Sequence, residues 1–194
     1  MINSLELFSG TKSFSKYNNY NNISVDIDNS NNPTFNIDIM DFDYKKYDIG
    51  YFSVIWASPP CTEYSSCLTT RPRNLELADM IVKKTLEIID YLKPKYYYIE
   101  NPFTGLLKTR PFMIGKYYFK VDYCKYGKNY RKRTAIWTNN YLFNPRILCN
   151  KKNRCNSMIG NKHIGHFGTG SSTCSLDEKH SVPRDLIIQI CSFN

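Results

Sequence analysis

Short apolar runs alternate with a helical segment along the sequence, and this alternation is the feature that most constrains the fold. The run 51–57 is largely apolar, as in strands buried on both faces of a parallel sheet, and Pro59-Pro60 ends it. Residues 74–92 follow with apolar side chains at helical spacing and with Asn74 as a potential N-cap, and residues 96–99 form the next apolar run. This order predicts a doubly wound, mostly parallel α/β sheet.

The other predicted elements fit the same sheet. We expect further strands at 4–8, 23–27 and 34–37, a short helix within 11–20, and two late antiparallel strands at 117–123 and 134–138. A chain of 194 residues suits a single domain spanning 1–194. In such sheets ligands bind beyond the carboxyl ends of the strands, so the residues that follow each strand are the candidate functional residues.

The composition of the chain limits the cellular compartments and the binding partners to be expected. No apolar stretch approaches the length of a membrane span and no secretory signal is recognisable, so we expect a soluble, intracellular protein of the cytoplasm or nucleus. The seven cysteines are accordingly expected to be reduced thiols. Residues 1–100 carry 10 Lys/Arg against 13 Asp/Glu, whereas residues 101–194 carry 16 against 4. Basic charge concentrated in one half indicates a surface that binds a polyanion such as nucleic acid.

The ends of the first three strands carry residues suited to a nucleoside cofactor. Phe8-Ser9-Gly10-Thr11 offers a glycine for close backbone approach and N–H groups for a carboxylate. Asp26 with Ile27 suits a ribose diol, although Asp26 alone could equally cap a helix. Asp38 could accept from an adenine amino group while Ile39 packs on the ring. No GxxxxGK[ST] phosphate loop is present.

The next two strand ends carry candidate catalytic groups. Ser58-Pro59-Pro60-Cys61 holds a cysteine on a rigid turn, and a helix following it would stabilise the thiolate. Glu100-Asn101-Pro102 directs a carboxylate, a candidate general acid, into the same cleft. Together they suit covalent attack on an electron-poor ring. The alternative for Cys61 is a structural role, which we expect for Cys67, Cys124 and Cys191.

The order of these segments resembles that of the cytosine-C5 DNA methyltransferases over residues 5–190. Leu7-Phe8-Ser9-Gly10 resembles the first cofactor motif, Ser58-Pro59-Pro60-Cys61 the catalytic loop and Ile99-Glu100-Asn101-Pro102 the Glu-Asn motif. Residues 130–137 resemble the motif whose arginines reach the cytosine, and Ser181-Val182-Pro183 resembles the closing motif.

The resemblance implies a Rossmann-like domain that transfers a methyl group from S-adenosylmethionine to C5 of a flipped cytosine. Cys61 would attack C6, Glu100 would bind N3, and Arg133 with Arg131 would hold the base carbonyl. The resemblance also implies a cofactor site formed by Phe8, Ser9, Gly10, Thr11, Asp26, Ile27, Asp38, Ile39, Pro59, Ser181 and Val182.

Several departures keep alternatives open. Ala135 stands where the family has an arginine, and Lys179-His180 replace Gly-Asn before the closing motif. Only residues 139–180, a short basic insert, are left for target recognition, so a protein partner could supply specificity. A tRNA cytosine-C5 methyltransferase and a non-catalytic module that binds cofactor or nucleic acid are the alternative functions.

The insert and the segment before it carry the candidate nucleic-acid contacts. Tyrosines interleave with cations over residues 123–133 and could stack on bases. The predicted nucleic-acid-binding cations are Lys125, Lys128, Lys132, Lys151, Lys152 and Arg154. Cys149, Cys155, His163, His166 and Cys174 have no standard zinc-finger spacing, so we predict no metal, with zinc at Cys149, Cys155 and His163 as the alternative.

Overall fold

A computed structural model describes residues 1–165 and 175–192. Its main sheet has seven strands in the order β3-β2-β1-β4-β5-β7-β6. The strands are β1 Asn3–Leu7, β2 Asn21–Asp26, β3 Phe35–Asn36, β4 Val54–Ala57, β5 Tyr96–Pro102, β6 Tyr118–Asp122 and β7 Arg133–Thr138. The first five are parallel, and β7 lies antiparallel between β5 and β6. The predicted α/β fold and the antiparallel late strands are confirmed.

The register brings the carboxyl ends of the central strands level with one another. Leu7 of β1 lies opposite Val25 of β2 and Ala57 of β4, and Ala57 lies opposite Ile99 of β5. The segments after these strands therefore emerge side by side along one edge of the sheet.

Helices cover both faces of the sheet. Helix α1, Leu75–Leu92, packs with Ile55 and Ala57 of β4 on one face. Helix α3, Arg184–Cys191, packs with Val54 and Trp56 on the other, as the two-residue period of a strand requires. Two shorter elements complete the chain, the helix α2 at Leu176–His180 and a hairpin of β8 Met158–Ile159 with β9 Lys162–His163. Within residues 1–165 and 175–192, no helix combines the length and apolar character needed to cross a membrane.

The predicted start of α1 is confirmed in detail. The Asn74 side chain accepts a hydrogen bond from the Leu77 amide at 3.1 Å, which satisfies one of the free N–H groups of the first turn. At the other end Lys93 adopts a left-handed conformation directly before Pro94, so the chain leaves the helix there.

One local expectation is met and another was wrong. The short helix expected within 11–20 is a 3₁₀ turn at Ser15–Tyr17 that follows a series of turns, and the Glu6 carboxylate accepts from the Phe14 and Ser15 amides at its start, at 2.9 and 3.0 Å. The tyrosines expected to stack on bases are core residues instead, since Tyr123, Tyr126 and Tyr130 are at most 2% exposed and pack in the cluster beneath α3.

Candidate active site

A cavity of about 290 Å³ opens at the carboxyl edge of the sheet. The segments that follow separate strands line it: residues 8–11 after β1, Asp26 and Ile27 after β2, and residues 58–61 after β4. Glu100 of β5 lies on the same wall. The fold thus brings the predicted catalytic and cofactor segments to one site.

An adjoining cavity of about 130 Å³ contains the other predicted cofactor residues. Asp38 and Ile39 line it together with Phe8, Asp26, Ile27 and Pro60, and the last four also line the larger cavity. Its walls are otherwise apolar. A flat, partly apolar ligand group could occupy the smaller space while the rest of the molecule extends towards Cys61.

The turn after β1 is tight and leaves one polar atom available. Phe8 and Gly10 both have positive φ, at 57° and 43°, and the Gly10 amide donates to the Asp26 carboxylate at 2.7 Å. A positive φ at Phe8 is uncommon for a residue other than glycine and is typical of functional turns. Ser9 Oγ is buried without a hydrogen-bond partner among the described residues, so a polar group of a ligand would satisfy it.

The closing segment returns to this turn. The Val182 amide donates to Ser13 Oγ at 3.0 Å, and Val182 lines the larger cavity. Ser181 Oγ accepts from Lys128 Nζ at 2.6 Å and lines a neighbouring cavity with Thr11. Residues far apart in sequence therefore form one wall.

Side chains of the neighbouring strands β4 and β5 hold the loop that carries Cys61. Asn101, fully buried in β5, donates from Nδ2 to the Pro59 carbonyl at 3.0 Å, and Trp56 donates to Ser58 Oγ at 2.9 Å. The helix expected directly after Cys61 is absent from the described residues. The chain continues there in turns, in one of which the Tyr64 amide donates to the Cys61 carbonyl at 3.1 Å, and α1 begins only at Leu75. A helix dipole therefore does not stabilise this thiolate.

Glu100 lies in a buried polar group at the floor of the cavity. Its Oε1 atom accepts from the Tyr123 hydroxyl at 2.8 Å and lies 3.5 Å from Lys132 Nζ. Lys132 also donates to the Lys179 carbonyl at 3.3 Å, and its side chain is only 9% exposed. A buried acid and a buried cation thus face the same space as the cysteine.

These charges act on Cys61 in opposite directions. Burial, the largest cause, raises the pKa of the Cys61 thiol above its ordinary value, the Lys132 ammonium lowers it, and the Glu100 carboxylate raises it further. Among these groups Lys132 is the one that favours the thiolate.

The predicted arginines are not part of this cavity. Arg133 forms a two-point ion pair with Asp122, with nitrogen–oxygen distances of 2.9 and 2.7 Å, and Arg131 is exposed to solvent near His163. Lys132 between them lines the cavity, since successive side chains of an extended segment point to opposite sides. Ala135, which stands where the family has an arginine, is buried in the core of the protein.

The predicted nucleic-acid contacts separate into three groups. Lys151, Lys152 and Arg154 are exposed on the turn between Cys149 and Cys155. Lys125 donates to the Arg154 carbonyl at 2.8 Å and Lys128 binds Ser181, so these two brace neighbouring segments. Lys132, expected on the surface, is inside the cavity. His166 and Cys174 lie outside the described residues.

Sequence reasoning did not single out Glu6 and gave Asn101 no role of its own, although these two residues hold the two loops. It predicted Tyr123 and Lys132 as nucleic-acid contacts, whereas both contact Glu100. A polar residue inside an otherwise apolar strand was the available signal for Glu6. The position of Asn101 beside the candidate acid was the signal for its role.

Comparisons with known proteins agree with this geometry. The chain is 31% identical over 214 aligned residues to the frog virus 3 (isolate Goorha) protein named "Probable DNA (cytosine-5)-methyltransferase", and the match covers 96% of this chain and 97% of the viral protein. Its fold is similar, with a TM-score of 0.56 and 16% identity, to a crystal structure from E. coli described as a DNA modification methyltransferase encoded within a prophage. That match covers 77% of this chain and 52% of the solved chain. No family model matches the sequence.

Proposed function

Because the chain belongs to the DNA (cytosine-5)-methyltransferases, we propose that it transfers a methyl group from S-adenosylmethionine to C5 of cytosine in DNA through a covalent bond between Cys61 and C6. The observation that carries the proposal is that Cys61, Glu100 and Lys132 line one cavity together with the turn after β1. A DNA substrate would place the protein in the cytoplasm or the nucleus.

The two adjoining cavities fit the cofactor. The smaller one would hold adenine between Ile39 and Phe8, with Asp38 near the amino group and Asp26 at the ribose. The unpartnered Ser9 Oγ would hydrogen-bond to the carboxylate of the methionine part. When bound, S-adenosylmethionine supplies an electrophilic methyl group.

The first chemical step would be the addition of Cys61 to the ring. A cytosine in a duplex must be flipped out before C6 becomes reachable. The thiolate forms a bond to C6 while the C5=C6 electron pair shifts towards C5, and Glu100 stabilises this by hydrogen bonding at N3. We assign to Lys132 the role that the sequence suggested for Arg133, contact with the base carbonyl, because its ammonium group lies 3.5 Å from Glu100.

The later steps restore the aromatic ring. C5 would take the methyl group as the S–CH₃ bond of S-adenosylmethionine breaks and leaves S-adenosylhomocysteine, and the C5 proton would then pass to water as the base. The electrons of that C–H bond re-form the C5=C6 double bond and expel Cys61 as a thiolate. Lys132 would favour this departure, since its ammonium group stabilises the anionic sulfur that is released, and before the attack it would raise the fraction of Cys61 present as thiolate.

Covalent trapping tests the proposal. A duplex containing 5-fluorocytosine should form a stable adduct, because fluorine at C5 cannot leave as the proton does. We expect the adduct to require S-adenosylmethionine and to vanish in Cys61→Ser. The matched control is Cys67→Ser, which removes an exposed cysteine outside the cavity and should trap like the wild type.

Parallel substrates identify the nucleic acid. Duplex DNA, single-stranded DNA and tRNA, each carrying 5-fluorocytosine, should be compared under the same conditions. Trapping on either form of DNA supports the proposal, whereas trapping on tRNA alone refutes the DNA substrate. Equal adducts with wild type and Cys61→Ser would refute the covalent mechanism.

A further inference from the structure

A second cluster of thiols lies away from the catalytic cavity, and we propose that it binds a structural zinc ion. Its members are Cys124, Cys149, Cys155 and His163, whose ligand atoms all lie within 4.8 Å of one another. Cys149 Sγ and His163 Nε2 are 3.6 Å apart. Tetrahedral zinc with sulfur and nitrogen ligands places neighbouring ligand atoms roughly 3.5 to 3.8 Å apart.

The chemistry of the donor set selects zinc. Three thiolates and one imidazole form a closed, four-ligand structural site, and soft sulfur ligands disfavour magnesium and calcium. The three cysteines are 1% to 8% exposed, so little water would compete with them for coordination of the ion. None of the four lines the cavity that contains Cys61.

The ion would join two parts of the chain that already meet through hydrogen bonds, such as Lys125 Nζ to the Arg154 carbonyl and Ser157 Oγ to the Lys128 carbonyl. Cys124 belongs to the 3₁₀ turn directly after β6. The other three ligands lie within residues 149–163, and His163 is the last residue of the β8–β9 hairpin. The buried cluster of this region consists of the three cysteines, with Met158 packed against it. Strands of two residues are marginal by themselves, so metal binding would add folding energy to this segment.

The neighbours of the cluster connect it to the sheet. The Cys149 amide donates to Asp122 Oδ2 at 2.9 Å, and the same carboxylate binds Arg133 of β7. Zinc would thereby fix the turn that exposes Lys151 and Lys152 against the methyltransferase domain. Such a turn is suited to contacts with backbone phosphates.

Metal analysis of the purified full-length chain tests the site. We expect equimolar zinc in the wild type and in Cys67→Ser, and at least a tenfold loss in Cys155→Ser. Cobalt substitution should give the visible bands of tetrahedral Co²⁺ with thiolate charge transfer, and Cys155→His should retain binding with a weaker charge-transfer band. Absence of zinc from protein grown with zinc and kept reduced would overturn the proposal. A disulfide among the three cysteines, seen as the loss of two hydrogens by intact mass, would also overturn it.

A measurement on the wild type covers the case in which Cys155→Ser fails to fold. Stripping zinc with a chelator should abolish hydrogen-exchange protection in residues 149–163 and leave β1, β4 and β5 protected. Adding zinc back should restore it. If the stripped protein keeps the same protection throughout, the ion does not hold this segment. Trapping by Cys61 is a separate readout, so failure of the zinc site and failure of the proposed activity are distinguishable.

Discussion

Asn101 offers the sharpest test of how the fold positions Cys61, the proposed nucleophile. Its side chain is fully buried, and its Nδ2 atom donates to the carbonyl of Pro59, two residues before Cys61, at 3.0 Å. The substitution Asn101→Ala leaves that buried carbonyl without its donor and removes the tether between β5 and the catalytic loop.

Two effects of different size should follow. Leaving a buried acceptor unpaired costs about 1–3 kcal/mol of unfolding free energy. At about 2–4 °C per kcal/mol for a chain of this length, a loss near the middle of that range lowers Tm by about 4–8 °C. The reaction should suffer more, because a displacement of the sulfur by about 1 Å can cost about 100-fold in rate. The assay is the single-turnover rate of trapping on 5-fluorocytosine duplex at saturating cofactor, well below Tm.

Asn139→Ala is the matched control. Asn139 bonds the same strand at its other end, where it accepts from the Tyr97 amide at 2.9 Å and donates to the Lys95 carbonyl at 3.0 Å. Asn139→Ala should lower the free energy of unfolding by about 1–3 kcal/mol, as Asn101→Ala does, and leave the trapping rate unchanged. Equal loss of trapping in both variants, or an unchanged rate in Asn101→Ala, would refute the positioning argument.

Three further predictions test the charges around the site. Lys132→Met should raise the pKa of Cys61, because it removes a cation beside the thiol, and Glu100→Gln should lower it, because it removes an anion. In a Cys67→Ser background, the pH dependence of iodoacetamide alkylation should shift to higher pH in the first variant and to lower pH in the second. Shifts of the same sign would contradict the assignment of these charges. Asp79→Ala breaks the pairing with Arg110 and the Tyr64 hydroxyl and should cost about 1–3 kcal/mol in urea unfolding, whereas Asp185→Ala at the exposed pair with Arg146 should cost less than about 1 kcal/mol. Arg71 holds the pKa of Glu63 at about 2 against an ordinary 4.5, so the support that Glu63 gives to the Asn74 amide is complete above pH 4.5 and is lost as the pH falls towards 2. The protection factor of the Asn74 amide, which is its exchange rate relative to the intrinsic rate at the same pH, should fall over that interval in the wild type and stay constant in Glu63→Gln.

The sequence was sufficient for the sheet and for the location of the site, because both follow from local patterns. An apolar run ended by Pro59-Pro60, a capped helix at 74–92 and another apolar run at 96–99 leave few arrangements other than a parallel sheet. Once the strands are parallel, their polar ends must meet at one edge. The short helix expected within 11–20 is one 3₁₀ turn long, and the carboxylate that accepts from the amides at its start belongs to Glu6 of β1, which no local pattern at 11–20 would include.

Local sequence patterns could not predict the direction in which individual side chains point. In Arg131-Lys132-Arg133 every side chain is a plausible contact for a base, and only the pairing of β7 with β6 places Arg133 opposite Asp122 and turns Lys132 towards Glu100. Cys124 shows the same limitation. It lies far upstream of Cys149 in sequence, so no spacing rule for metal sites would include it, yet the turn after β6 brings its sulfur to the other thiols.

The same alternation explains how two strands serve two sites. At the end of β6, Tyr123 donates to Glu100 on the side of the catalytic cavity, while its neighbour Cys124 joins the thiol cluster. At the start of β7, Lys132 lies in the cavity, while its neighbour Arg133 binds the Asp122 carboxylate that holds the Cys149 amide. Because each pair is adjacent in the chain, a shift of β6 against β7 that disturbs one site must disturb the other. The Asp122–Arg133 ion pair joins the two strands at that register, which gives the arginine a structural role.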